Sequence, residues 1–177
     1  MKNRTKRPND PPEDPVERPI ILGVIGGEVP PESAVGLAEE VGRLAALQGA
    51  VVICGGLGGV MEAVCKGARS VGGTTIGVLP SSDRTTANPH VSLPIVTAMS
   101  TARNAIIVRT AEALIAIDGA YGTLTEIAYA LDLKHKVFLL QSWPLDRMTV
   151  NPDLYEHVPN PKVAVERALA YARSNRG

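Results

Sequence analysis

From Ile20 onward the chain alternates short apolar runs with longer amphipathic stretches. The short runs are Ile20–Ile25, Val51–Cys54, Thr74–Leu79, Ile95–Thr97, Ala113–Ile117 and Val137–Leu140. They are often β-branched, which predicts strands buried on both faces. The stretches Pro31–Gln48, Val60–Val71, Thr101–Thr110, Thr123–Lys134 and Pro161–Asn175 predict helices. In the first, Val35, Ala38, Val41 and Ala45 recur at helical spacing, and Gly49 follows as a C-cap. Strand and helix alternate about every 25 residues, the pattern of an α/β protein with a doubly wound parallel sheet. Right-handed crossovers then leave every strand's C-terminal end on one edge, where ligands bind.

Three segments break the pattern. Residues 1–19 are polar and proline-rich and predict a disordered tail, leaving 20–177 as a single domain. Pro80–Pro94 lacks periodicity and leaves a strand end, so it either overhangs the ligand edge or is a plain surface connection. Ser142–Asn160 carries Trp143 and several prolines, and is expected to pack over the rim or at a subunit contact.

A length of 177 residues suits one domain with a real core, and 45% hydrophobic residues suit a soluble one. The net charge of zero argues against nucleic acid as the main partner, because that binding relies on a basic face. Aromatics at 3% leave no row of rings for stacking bases. No apolar stretch approaches a membrane span, and two cysteines without a secretion signal fit a reducing compartment. The expected location is the cytoplasm, with no membrane partner.

The chemistry gathers in two glycine turns. Val51–Cys54 runs into Gly55-Gly56-Leu57-Gly58-Gly59 and then Val60-Met61-Glu62. Ala113–Ile117 runs into Asp118-Gly119-Ala120-Tyr121-Gly122-Thr123 and on to Glu126. A strand passing through glycines into a helix start points backbone N–H groups and a favourable dipole at an anion. Two such turns predict a cradle for a phosphorylated small molecule. Gly26 and Gly27 after the first strand, and Pro80 after the third, complete the ligand edge. Glu126 is expected in the first helical turn, either complementing the dipole or holding ribose and a cationic sugar transition state. Arg103 suits bidentate phosphate recognition or a surface ion pair, and Asn104 a ligand contact or a cap. Cys54 reads as a small buried hydrophobe. His90, His135 and His157 are scattered without metal-ligand spacing, so no metal site is expected.

Four strings in order carry a resemblance: Gly55–Glu62, Gly77-Val78-Leu79-Pro80, Ala102-Arg103-Asn104 and Gly122-Thr123-Leu124-Thr125-Glu126. Together they resemble the Lonely Guy (LOG)-like superfamily over residues 20–140. The resemblance implies a Rossmann-like domain and a homodimer or homotetramer packed through helices on one side of the sheet. One branch holds phosphoribohydrolases with Pro-Gly-Gly-x-Gly-Thr-x-x-Glu and an upstream arginine. Gly119, Gly122, Thr123 and Glu126 match that motif, and Arg103 stands 23 residues before Glu126 as the family's arginine does. Asp118 replaces the motif's proline and Ala120 its second glycine. The methyl of Ala120 is expected to restrict positive φ, and an ionised Asp118 to repel phosphate. Ala-Arg-Asn and Gly-Val-Met-Glu look more like the molybdenum cofactor carrier branch.

Two functions follow from the resemblance. In the first, the chain carries a phosphorylated nucleotide-like ligand, with molybdenum cofactor foremost. Its pterin phosphate lies near the two glycine turns, enclosed by Arg103 and polar residues of the Pro80–Pro94 loop. In the second, the chain is an enzyme that hydrolyses nucleoside 5′-monophosphates to base and ribose 5-phosphate. Arg103 and Glu126 are then catalytic, and no cofactor is needed. A DNA-binding role, from a distant likeness to a DNA-processing protein, sits poorly with the neutral charge.

Overall fold

The computed structural model describes residues 18–145 and 151–176. The predicted tail therefore falls outside the described residues but for its last two positions, as do residues 146–150 of the second irregular stretch. Among the described residues seven strands form one parallel sheet: β1 Ile21–Gly26, β2 Val51–Cys54, β3 Thr75–Leu79, β4 Leu93–Val96, β5 Ala113–Ile117, β6 Val137–Leu140 and β7 Tyr155–His157. The described residues also form five α-helices: α1 Glu32–Leu47, α2 Val60–Ser70, α3 Asn104–Thr110, α4 Tyr121–Asp132 and α5 Pro161–Ser174, the last following β7. The fold is Rossmann-like.

Strand order is β4-β3-β2-β1-β5-β6-β7. The chain winds outward from β1 to one edge, then returns to β5 beside β1 and winds to the other edge. That reversal opens a crevice at the C-terminal ends of β1 and β5, the place where open α/β sheets bind ligands. Alternation along the strands separates two apolar layers. Leu22, Val24, Ala113, Ile115 and Ile117 face α1, α2 and α5. Ile25, Leu114 and Ala116 face α3 and α4, packing with Ile107 and Ile127.

The structure corrects the sequence reading in three places. β4 covers Leu93–Val96 rather than Ile95–Thr97, and it is an edge strand with Leu93, Ile95 and Val96 exposed. Edge position explains why Pro94 is accommodated within it. β7 lies in the stretch read as irregular; it is three residues long and, among the described residues, pairs only with β6. Helix α4 begins at Tyr121, two residues earlier than expected, which moves Glu126 out of the first turn into the second.

Candidate functional site

A cavity of about 380 Å³ opens at the crevice between β1 and β5. Gly26, Gly27, Gly55, Met61, Pro80, Arg103, Asn104, Ala120, Gly122, Thr123 and Glu126 line it, so the fold brings these candidate residues together. Val24, Ile25, Glu28, Leu57, Ser100 and Thr101 also line it, and sequence reasoning did not single them out. The signal for Glu28 was present: it follows Gly26-Gly27 at the end of the first strand.

Other candidates lie elsewhere. Gly56 packs against Gly77, and Gly59 against the β1–α1 connection. Gly59 has φ +64, and a Cβ there would sit 2.4 Å from the Glu28 carbonyl oxygen. Its bareness lets the α2 start dock on that connection, where the Val60 N–H donates to the Gly27 carbonyl at 3.0 Å. Gly58 approaches Glu28. Glu62 faces a shallow depression between α1 and α2, with Val35, Glu39 and Lys66. Asp118 and Gly119 border a separate depression, and Tyr121 is exposed beside it. Of the Pro80–Pro94 loop only Pro80 lines the cavity. Of the loop's polar residues, Ser81 bonds Thr86, Asp83 bonds Thr85, Ser92 bonds Thr75 of β3, and Asn88 braces the first glycine turn. The Asn88 side-chain amide donates to the Leu57 carbonyl at 2.9 Å, and its backbone N–H donates to the Gly56 carbonyl at 2.9 Å.

Arg103 is the centre of the site. It ends a 3₁₀ turn, Ser100–Arg103, that leads into α3. The turn is tied to the end of β3 through a strained connection. Ala98 and Ser100 both adopt left-handed backbone, with φ 53 and φ 50. Their N–H groups donate to the Ser81 and Pro80 carbonyls, each at 3.0 Å. The Arg103 side chain passes over Gly55, where a Cβ would lie 2.5 Å from Nη2. A bare backbone at Gly55 is thus what gives the guanidinium its place. Arg103 is only 8% exposed, and its Nε has no hydrogen-bond partner among the described residues. A buried donor left open is costly unless something fills it.

Glu126, 7% exposed, reaches the cavity from α4. Its carboxylate lies 3.9 Å from Arg103 Nη1, close enough to attract but too far for a hydrogen bond. Burial pushes its pKa up to about 7, against the opposing pull of Arg103. Burial also lowers the Arg103 pKa, while Glu126, Cys54 and Glu28 raise it. Beneath lie two free thiols: Cys54 and Cys65 are buried with sulfurs 3.5 Å apart.

Ala120 does not need positive φ. It is extended, at φ −97 and ψ −162, so its methyl imposes no backbone strain. The left-handed positions are Asp118 at φ 50 and Gly119 at φ 119. Among the described residues no His, Cys, Asp and Glu group has the arrangement of a metal site, and no helix is long and apolar enough to cross a membrane.

Residues 19–172 match the SLOG cluster4 family. The chain belongs to that family, within the LOG-like superfamily and near its molybdenum cofactor carrier branch. An uncharacterized protein of Archaeoglobus fulgidus is 47% identical over 110 residues, spanning 62% of this chain and 72% of its own. The molybdenum cofactor binding protein of Rippkaea orientalis superposes with a TM-score of 0.82 at 33% identity, over 87% of this chain and 98% of its own. The molybdenum cofactor carrier protein of Chlamydomonas reinhardtii gives 0.79 at 31% identity, over 88% and 99%.

Proposed function

We propose that this protein binds and carries molybdenum cofactor as a cargo, held by its phosphate in the crevice between β1 and β5. The observation that carries the reading is the buried Arg103 guanidinium, which closes no hydrogen bond with Glu126 and lines a cavity that the first turn of α4 also lines. An anion there takes charge-assisted bonds from the guanidinium and benefits from the helix N-terminus. Val24, Ile25, Leu57 and Met61 supply an apolar wall for the rest of the ligand. The similarity in structure to a cofactor-binding and a cofactor carrier protein supports the same cargo. The reading places the protein in the cytoplasm as a homodimer or homotetramer.

The test is to mix the purified protein with isolated molybdenum cofactor and pass the mixture through a gel-filtration column. Coelution of pterin and molybdenum with the protein is the expected result. Absence of coelution, together with release of free base from nucleoside 5′-monophosphates that vanishes in Glu126→Ala, would replace carriage with phosphoribohydrolysis.

A further inference from the structure

Beyond the phosphate cradle, on the other side of the 118–122 turn, lies a second depression of about 240 Å³. We propose that it is a subsite for a planar ring bearing the 2-amino-4-oxopyrimidine edge, which pterins and guanine share. The inference rests on the reading of the crevice as a phosphate site, because one ligand would straddle the turn.

Four observations point to such a ring. Tyr121 projects its ring into solvent, 80% exposed, although an isolated aromatic ring gains nothing there. It leans on Trp143, with ring centroids 6.2 Å apart and planes tilted by 32°, so the two form a corner rather than a closed stack. Trp143 itself lines the depression, so the corner offers a ring face to a planar ligand. The Asp118 carboxylate accepts no hydrogen bond among the described residues, and Oδ2 lies 3.7 Å from where a Cβ on Gly27 would stand. Asp118 lines the second depression and stands beside Gly27, which lines the first. A carboxylate there accepts from the ring N–H and the 2-amino group side by side, which adenine cannot offer. Asp118 is also held in place: its backbone is left-handed, and Ser142 Oγ donates to its carbonyl at 2.7 Å. On this account the replacement of the motif's proline by aspartate makes a contact to the ring.

Trp143 is the only tryptophan, so its emission reports on this subsite alone. Ribose 5-phosphate, AMP, GMP, guanosine and neopterin are titrated by calorimetry and by Trp143 fluorescence, with the full chain. The expected result is that ribose 5-phosphate binds without changing the emission, and that GMP changes it and binds at least tenfold tighter than AMP. Asp118→Asn, which keeps a residue tolerant of left-handed backbone, should bring GMP to within about threefold of AMP. Tyr121→Ala should weaken GMP at least fivefold. Tighter binding of neopterin than guanosine identifies a pterin, and the reverse a guanine nucleotide. Equal binding of GMP, AMP and ribose 5-phosphate with constant emission overturns the subsite and leaves the phosphate reading standing. Failure of every phosphorylated ligand, ribose 5-phosphate included, overturns both.

Discussion

Arg103 and Glu126 face each other inside the cavity at 3.9 Å without closing a hydrogen bond. A pair built for stability would close that gap, since breaking the water shells of two buried charges is repaid only by good geometry. The open geometry leaves the guanidinium available to a third party, and holds Glu126 near its protonation midpoint at neutral pH.

A pH signature follows. The folded-state pKa of Glu126 is raised from 4.5 to about 7, so folding favours its protonated form. The sign is a loss of stability as pH rises from 4.5 to 7, with no further change above. Glu126→Gln mimics the neutral form and removes that loss. Thermal unfolding should show wild type and variant alike at pH 4.5, and the variant more stable at pH 8 by up to about 3 kcal/mol. Equal stability of the two at pH 8 would contradict a buried, pKa-raised carboxyl.

Gly55→Ala tests what places Arg103. The added methyl meets Arg103 Nη2 and Met61 Sδ, each at 2.5 Å, and both are ends of flexible side chains. The variant should fold, with the guanidinium displaced from the cavity. Calorimetry should give at least tenfold weaker binding of ribose 5-phosphate; unchanged affinity would remove Arg103 from the phosphate site.

Asn88 tests the bracing of the first glycine turn. Asn88→Ala removes the bond to the Leu57 carbonyl and the acceptor for the His90 N–H, 3.1 Å away. Denaturant unfolding should show a loss of about 1–3 kcal/mol, because the side chain is buried. A smaller loss would mean that the loop does not hold the turn.

The proposed assembly is open to light scattering. Leu93, Ile95, Val96 and Met99 are exposed together on and after the edge strand β4, an apolar grouping that an isolated chain would leave to water. The expected mass is two or four times 18.6 kDa. A mass of one chain would contradict the oligomer.

The sheet and its helices were legible because their signals are local. Ala113–Ile117 and Val51–Cys54 are apolar throughout, and both strands lie between two helical layers. The strand β7 was not legible: Tyr155-Glu156-His157 is three residues long, polar, and strand-like only because β6 offers it a ladder. The crevice was legible from the glycine turns, but the roles of individual glycines were not. Gly55 clears room for a side chain 48 positions away in sequence, while Gly56 and Gly59 serve packing. No spacing rule reveals such long-range contacts. Ala120 shows the same limit. Its methyl reads as an obstacle in a glycine motif, yet the backbone carries the left-handed bend at Asp118 and Gly119 instead.

The most direct measurement is the molybdenum and pterin content of the protein purified from a host that makes the cofactor, for wild type and for Arg103→Gln. The account predicts near-stoichiometric molybdenum and pterin with the wild type, and a loss of both in the variant at unchanged fold. Wild-type protein free of pterin and molybdenum, or a variant that retains them fully, would contradict carriage through Arg103.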